Sequence, residues 1–243
     1  MDLTKKSEVV LNVDSVELGY GPLQVVFGVS INVNRGELVG LVGGNGSGKS
    51  TILRAISGII KPTSGVITLN GESVGGLAPH QMAEKGLAHV PMGRQLFPNL
   101  SVKDNILLGG YLPRLRPRRK ENIERVFSLF PDLEALAPRM AGALSGGQQQ
   151  MVAIGRALML EPTMLIMDEP SLGLSPLYVK DVMRAIRRIA DTGFPVLLVE
   201  QNIKQVLQFS HRAYVLENGR LVLSGSSAEL QGHPMIKKAY LGL

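Results

Sequence analysis

The sequence of 243 residues contains no cysteine and no tryptophan, and aromatic residues make up only 5% of it. The absence of cysteine excludes a disulfide framework, a zinc-thiolate site and a thiol nucleophile. Any chemistry must therefore come from oxygen and nitrogen groups. The scarcity of aromatic side chains weakens the case for a surface that stacks on nucleic-acid bases, and we expect no nucleic-acid partner.

The sequence also lacks a long hydrophobic run. Its strongest apolar stretches, residues 164–167 and 196–199, have the length of β-strands, whereas a membrane-spanning helix needs roughly 20 apolar residues. Residues 1–10 carry charges and contain neither the apolar region nor the cleavage site of a signal peptide. These absences predict a cytoplasmic chain that does not itself cross a membrane.

What the sequence does contain is typical of a folded protein. Hydrophobic residues account for 44% and charged residues for 19%, which excludes disorder over most of the length. The length suits one large α/β domain or a core with an inserted subdomain. A formal net charge of +6 is compatible with nucleic acid, phosphorylated ligands or an anionic membrane surface, and it does not choose among them.

Hydrophobic patterning divides the chain into three parts. Strand-like segments at 9–16, 25–33 and 38–42 open the chain, and the last of them is apolar on both faces, as in a buried parallel strand. A stretch with helical spacing and two proline-flanked loops follows. Two further buried strands, joined by an amphipathic segment at 176–190, then predict a right-handed parallel unit, and Asn218-Gly219 predicts a hairpin near the end.

This order of elements predicts an α/β fold. We expect a mostly parallel core sheet, an N-terminal antiparallel β part and an inserted helical subdomain. The first part of the core would span residues 1–90, the helical subdomain residues 91–155 and the second part of the core residues 156–243.

A glycine-rich loop joins the third strand to the first predicted helix, at 52–57. It fits the pattern Gly-x-x-x-x-Gly-Lys-Ser, in which backbone N–H groups and the helix N-terminus surround phosphate oxygens, lysine reaches the β- and γ-phosphates, and serine offers a hydroxyl to Mg²⁺. A turn that only caps a helix would leave the Lys-Ser pair unexplained. The loop therefore predicts a site for a nucleoside triphosphate, formed by Gly43, Asn45, Gly46, Ser47, Gly48, Lys49, Ser50 and Thr51.

Two adjacent carboxylates, Asp168 and Glu169, follow the buried strand at 164–167. In an α/β sheet, this edge binds ligands. Asp168 would hold Mg²⁺ together with Ser50, and Glu169 would polarise the attacking water as a general base. Taken alone, an Asp-Glu pair after a strand is more often a helix N-cap. The glycine-rich loop at 43–50 favours the catalytic interpretation.

A second glycine-rich segment, Leu-Ser-Gly-Gly-Gln at 144–148, precedes a predicted helix at 149–159. Ser145 occupies the position of an N-cap, and a cap alone is one interpretation. However, two glycines at this point lower helix propensity and expose N–H groups to an anion. We therefore predict a second phosphate-facing surface, formed by Ser145, Gly146, Gly147 and Gln148.

Taken in this order, the loop at 43–50, the segment at 144–148 and the strand that ends at Glu169 resemble the motifs of ATP-binding subunits of ABC transporters. The resemblance covers nearly the whole chain and implies a P-loop ATPase that uses ATP and Mg²⁺. It also implies that Tyr20 stacks on adenine, although packing at a strand end is the alternative. Residues 171–175 resemble the loop that follows the catalytic carboxylate.

Several shorter segments are similar to the ATPases of Liv-type branched-chain amino acid importers, and most similar to the shorter, LivF-like ATPase. These segments are residues 90–94, 97–98, 200–202, 214–219 and 239–242. Two positions depart from the general ABC pattern. Met92 replaces a glutamine, and its thioether is a poor ligand for Mg²⁺. Gln201 replaces a catalytic histidine at the γ-phosphate, where its amide can donate a hydrogen bond but carries no charge.

The resemblance implies a head-to-tail dimer with a second ATP-binding subunit, either identical or related. Each ATP would lie between residues 43–50 of one subunit and residues 145–148 of the other. Membrane permease subunits would dock on the helical subdomain at the cytoplasmic face of the inner membrane, and an extracytoplasmic binding protein would deliver the amino acid.

Two other functions remain open. One is the ATPase of an exporter. The other is a soluble ABC ATPase acting on DNA or ribosomes, although the sequence contains neither a coiled-coil insertion nor a second cassette.

The basic run at 114–120 is either a solvated loop or a contact for anionic headgroups or a partner.

Overall fold

The computed structural model describes residues 8–238. The similarity at residues 239–242 therefore lies outside the described residues, as do residues 1–7. The strands are β1 (Val9–Tyr20), β2 (Leu23–Asn34), β3 (Leu38–Val42), β4 (Ser64–Leu69), β5 (Glu72–Ser73), β6 (Leu87–Val90), β7 (Met164–Asp168), β8 (Val196–Glu200), β9 (Arg212–Glu217) and β10 (Arg220–Ser226). The α-helices are α1 (Lys49–Ile56), α2 (Pro79–Glu84), α3 (Val102–Leu107), α4 (Arg119–Leu129), α5 (Pro131–Ala135), α6 (Gly146–Leu158), α7 (Pro176–Asp191), α8 (Ile203–Phe209), α9 (Ser227–Gly232) and α10 (Pro234–Ile236).

The N-terminal strands form an antiparallel sheet with the order β2-β1-β4-β5. β1 extends beyond its predicted end at residue 16. Its pairing with β2 shifts register between Val13 and Val16, and Ser15 at this point has a left-handed φ of 49°. Such a bulge interrupts the alternation of buried and exposed side chains without ending the strand. The alternation on which the prediction depended therefore stops earlier than the pairing does.

The second sheet has six strands in the order β10-β9-β3-β8-β7-β6. β3 runs parallel to both β8 and β9, and β7 runs parallel to both β8 and β6. Only β10 is antiparallel, and it reaches β9 through Asn218-Gly219, whose φ angles of 48° and 74° suit a tight hairpin turn. The predicted mostly parallel core sheet and its antiparallel N-terminal partner are confirmed.

The core sheet is buried on both faces. On one face, Val39 and Leu41 of β3 pack in a cluster with α1 and the antiparallel sheet. On the other face, Leu38 and Val42 pack in a cluster with α6 and α7. Alternate residues of one strand thus enter two different cores, and this explains why the strand carries no polar residue.

In the described chain, all secondary-structure elements between β6 and β7 are helices. They are α3 to α6 and three short 3₁₀ helices, Leu108–Gly110, Pro113–Arg118 and Ala141–Ala143. Asn105 fixes the beginning of this region, because its amide group donates to the carbonyls of Phe97, Leu100 and Ser101 and accepts from the N–H of Phe97. Among residues 8–238, no helix is long and apolar enough to cross a membrane.

β6 forms one edge of the core sheet and contains a partly buried histidine, His89. Within residues 8–238, Nε2 of His89 has no hydrogen-bond partner. Burial lowers the pKa of His89 to about 4, so the ring is neutral at physiological pH.

Candidate active site

The glycine-rich loop at 43–50, the phosphate loop, joins β3 to α1. The helix begins at Lys49 and not at residue 52 as predicted, because Gly48 takes a left-handed φ of 106° and serves as the N-cap. Gly43 is also required, since a Cβ there would lie 2.3 Å from the carbonyl oxygen of Leu216 and 2.6 Å from Oγ of Ser47. Lys49, Ser50 and Thr51 therefore form the first helical turn, where N–H groups are free to bind an anion.

The ammonium group of Lys49 is buried and lies over the phosphate loop. Its Nζ donates to the carbonyl oxygens of Gly43 (2.8 Å) and Gly44 (2.9 Å), and it lies 3.9 Å from Oε1 of Glu169. Desolvation lowers the pKa of Lys49, while the charges of Glu169 and Asp168 raise it. The same loop contains Oγ of Ser47, which is buried without a partner among the described residues. A phosphate oxygen would provide one.

Asp168, the last residue of β7, approaches the first turn of α1. Its Oδ1 lies 3.5 Å from Oγ of Ser50. Burial and the neighbouring negative charge of Glu169 raise the pKa of Asp168, so a bound cation would favour its ionised form. A hydroxyl and a carboxylate are the hard oxygen ligands that Mg²⁺ prefers, and the pair fits that ion.

Glu169 and Gln201 are paired side chain to side chain. Nε2 of Gln201 donates to both carboxylate oxygens of Glu169, at 2.9 and 2.8 Å. Glu169 has a φ of 46°, a left-handed conformation that costs a non-glycine residue about 1–3 kcal/mol. From the sequence, we predicted that Gln201 contacts the γ-phosphate. In this structure, its amide holds the carboxylate of Glu169.

Tyr20 lies at the end of β1, beside the first helix. Its hydroxyl accepts a hydrogen bond from Arg54 at 3.1 Å and lies 3.4 Å from Oγ1 of Thr51. The side chain is 41% exposed. Tyr20 is thus held next to the phosphate loop with an accessible ring, as a residue that stacks on a base would be.

The second glycine-rich segment, residues 144–148, forms the N-terminus of α6. Oγ of Ser145 accepts from the N–H of Gln148, and Oε1 of Gln148 accepts from the N–H of Ser145, so the two residues form a capping box. A Cβ at Gly147 would lie 2.6 Å from the ring of Tyr178, and one at Gly146 would lie 3.0 Å from the guanidinium of Arg94. Close packing within the chain is therefore a second explanation for glycine at these positions, which the sequence prediction did not include.

The structure brings the predicted residues together in two groups. Lys49, Ser50, Asp168, Glu169 and Gln201 form the first group. The segment at 144–148 forms the second, and no hydrogen bond or ion pair joins the two groups directly within residues 8–238. The residues predicted to bind phosphate therefore lie in two separate groups within one chain.

A model of the ABC transporter family matches residues 26–172, which is more than half of the chain. The chain belongs to the ABC transporter family. BraG of Pseudomonas aeruginosa, a high-affinity branched-chain amino acid transport ATP-binding protein, is 42% identical over 96% of this chain and 100% of its own. LivF of Archaeoglobus fulgidus, a probable branched-chain amino acid transport ATP-binding protein, is 34% identical over 96% and 99%. LptB of Escherichia coli K12, a lipopolysaccharide export system ATP-binding protein, is 32% identical over 96% and 97%.

Solved structures of ABC cassettes share this fold. An ATP-binding cassette of an ABC transporter in its ADP conformation superimposes with a TM-score of 0.84 at 28% identity, covering 97% of this chain and 99% of that one. A nucleotide-free cassette gives a TM-score of 0.83 at 27% identity, covering 94% and 97%. As a member of this family, the chain is an ATPase that binds ATP and ADP.

Three residues of this ABC ATPase that the sequence did not predict contact the two groups or the residues beside them. Arg54 binds the hydroxyl of Tyr20, and Tyr178 packs against Gly147. Glu200 is buried at the end of β8, where its Oε1 accepts from the N–H of Ser171 at 2.9 Å. Its signal was present in the sequence, because it ends an apolar strand just as Asp168 does.

Two features noted in the sequence, Met92 and the basic run at 114–120, make contacts away from the two groups. Met92 is half exposed, and its backbone carbonyl accepts from Gln95 at 3.5 Å. Within the basic run at 114–120, Arg118 pairs with Glu161 at 2.8 Å and Arg119 donates to the carbonyl of Gly110 at 3.0 Å. Part of this positive charge is therefore used inside the chain.

Proposed function

We propose that the chain is the ATP-hydrolysing subunit of an ABC importer for branched-chain amino acids or a related amino acid or amide. The observation that supports this most strongly is the 42% identity to BraG over 96% of this chain and 100% of BraG. The contacts of Lys49 with the phosphate loop, of Gln201 with Glu169 and of Arg54 with Tyr20 are consistent with this proposal.

The chemistry is assigned to the first group of residues. Lys49 leaves the carbonyls of Gly43 and Gly44 to bind the β- and γ-phosphates. Ser50 and Asp168 would hold Mg²⁺, which would supply positive charge beside the phosphates. Glu169 accepts a proton from the attacking water, and Gln201 orients the carboxylate for that step.

The second group requires a second subunit. The N-terminus of α6 would bind the γ-phosphate of ATP held by the phosphate loop of an identical or related chain, and the two chains would close on ATP and open after hydrolysis. In this arrangement residues 1–90 and 156–243 form the nucleotide-binding core, and residues 91–155 form the helical subdomain that carries Ser145–Gln148 into the partner's site.

A groove between α2, β6 and α6 is the surface we assign to the permease subunits. It encloses a cavity of about 300 Å³. Around it Ile59, Leu108 and Tyr111 are exposed by 56%, 42% and 50%. A cluster of exposed apolar side chains on an otherwise polar surface indicates a binding site for another protein. Docking here would place the chain at the cytoplasmic face of the inner membrane, with an extracytoplasmic binding protein acting on the far side.

Amino acid uptake tests the proposal. A strain that lacks this gene should lose uptake of radiolabelled leucine, isoleucine and valine. The wild-type gene should restore uptake and Glu169→Gln should not. An unchanged rate of uptake in the deletion strain would contradict the importer assignment.

The LptB relatives favour a second candidate, the ATPase of a lipid exporter. In that case the deletion strain would keep amino acid uptake and show a more permeable outer membrane. Complementation by Glu169→Gln fails under both functions, so the transported molecule, and not the loss of ATP hydrolysis, separates the two.

A further inference from the structure

We propose that Glu200 is a positioning residue for hydrolysis, and that it acts by holding the turn that contains Glu169. The inference rests on the catalytic role proposed above for Glu169. Glu200 is adjacent to Gln201 in the sequence, but its carboxylate binds a different part of the turn.

The turn that begins at Glu169 is fixed to the end of β8 at three points. The N–H of Glu169 donates to the carbonyl of Val199 at 2.9 Å, and the carboxylate of Glu169 accepts from Gln201. The third point is the N–H of Ser171, which donates to Oε1 of Glu200 at 2.9 Å. The turn itself is closed by one internal bond, from the N–H of Leu172 to the carbonyl of Glu169 at 3.0 Å.

The conformation of the turn explains why it needs this attachment. Glu169 has a left-handed φ of 46°, which the backbone of a non-glycine residue keeps only when surrounding contacts hold it there. Two of the three contacts are made by Glu169 itself, through its N–H and its carboxylate. The bond from Ser171 to Glu200 fixes the other side of the turn, so the backbone of Glu169 is held between two attachments.

Glu200 is well suited to this task because it is only 3% exposed. Burial raises its pKa, hydrogen bonds from the hydroxyl and N–H of Ser171 lower it, and the charge of Glu169 raises it again. A buried carboxylate that receives several donors is held in one position and forms stronger hydrogen bonds than an exposed one. Moreover, residues 171–175 follow directly from this attachment, so Glu200 also fixes where that loop begins.

The test compares two substitutions of the same residue in the purified full-length chain. Glu200→Ala removes the acceptor and should lower kcat for ATP hydrolysis about tenfold, with KM for ATP changed less than about twofold, because the contacts to nucleotide remain. Glu200→Gln keeps an oxygen acceptor of the same reach and should restore most of kcat. Glu72→Ala, which removes an exposed carboxylate on β5, should leave both constants unchanged.

Glu169→Gln, measured alone and combined with Glu200→Ala, separates this inference from the proposal on which it rests. If Glu200 acts through Glu169, then Glu200→Ala should cause little further loss in the Glu169→Gln background. Full activity of Glu169→Gln would refute the catalytic role of Glu169. A large loss in Glu169→Gln together with normal kcat in Glu200→Ala would refute the positioning role alone. The positioning role would also be refuted if the loss of kcat in Glu200→Ala matched the fraction of that variant unfolded by circular dichroism. An equal loss of kcat in Glu200→Gln would refute it as well.

Discussion

Lowering the pH from about 7 to about 5 should weaken the fold through one partly buried histidine, His89 of β6. An unfolded histidine titrates near 6.5, whereas burial lowers the pKa of His89 in the folded protein to about 4. Because the unfolded chain binds this proton first, stability that is fully present above pH 6.5 is lost as the pH falls toward 4. Each pH unit in this window corresponds to about 1.4 kcal/mol, so the loss reaches roughly 2 kcal/mol at pH 5 and roughly 3 kcal/mol at pH 4.

Urea unfolding at a series of pH values, followed by circular dichroism, measures this loss. His89→Phe removes the titrating ring and the unpartnered Nε2, so the variant should equal or exceed the wild type in stability at pH 7 and should lose roughly 2 kcal/mol less by pH 5. His80→Gln, which removes an exposed histidine of α2, is the matched control and should follow the wild-type curve. If the curves for wild type and His89→Phe stay parallel between pH 7 and 5, the reasoning from burial is wrong.

Three further predictions concern the two sites. Gly147→Ala places a Cβ against the ring of Tyr178 and should cost about 1–3 kcal/mol of stability in urea unfolding, and the double variant with Tyr178→Ala should recover part of it; additive losses would contradict the packing argument. Lys49→Ala should weaken ATP binding at least about tenfold in equilibrium titrations, because the buried ammonium group that would face the phosphates is gone; unchanged affinity would refute the assignment of the phosphate loop. Gln201→Ala should lower kcat more than ATP affinity, because Glu169 loses its only side-chain hydrogen-bond donor among the described residues. Gln201→His should make kcat depend on pH between about pH 5 and 8. A pH-independent kcat in the histidine variant would contradict this role.

The phosphate loop and the core sheet could be predicted because they depend on signals local in sequence. The apolar run of β3, the glycines after it and the Lys-Ser pair stand next to each other, and each has few physical alternatives. The boundaries were less predictable. α1 begins at Lys49 because a left-handed glycine caps it, and β1 continues beyond a bulge at Ser15, neither of which hydrophobic periodicity records.

The contacts inside the site could not be predicted, since they depend on residues that are distant in sequence. The pairing of Gln201 with Glu169 requires that β7 and β8 be neighbours and that both strands end at the same level. Likewise, Gly147 was interpreted from the sequence as leaving room for an anion. In the structure, a Cβ at this position would also meet the ring of Tyr178, which belongs to another helix. Sequence spacing identifies residue types suited to a reaction, but which of them touch is decided by tertiary packing.

The position of β3 in the core sheet has a consequence for how the protein is synthesised. β3 emerges early from the ribosome, but both of its neighbours come late: residues 38–42 pair with 196–200 on one side, and residues 39–42 pair with 212–215 on the other. A nascent chain that stops before residue 196 leaves both edges of β3 unpaired. The phosphate loop that follows β3 thus has no rigid support until nearly the whole chain is made, and nucleotide cannot assist folding before that stage. Until then the nascent protein exposes an apolar strand with two open edges, the kind of surface on which chains aggregate and chaperones act.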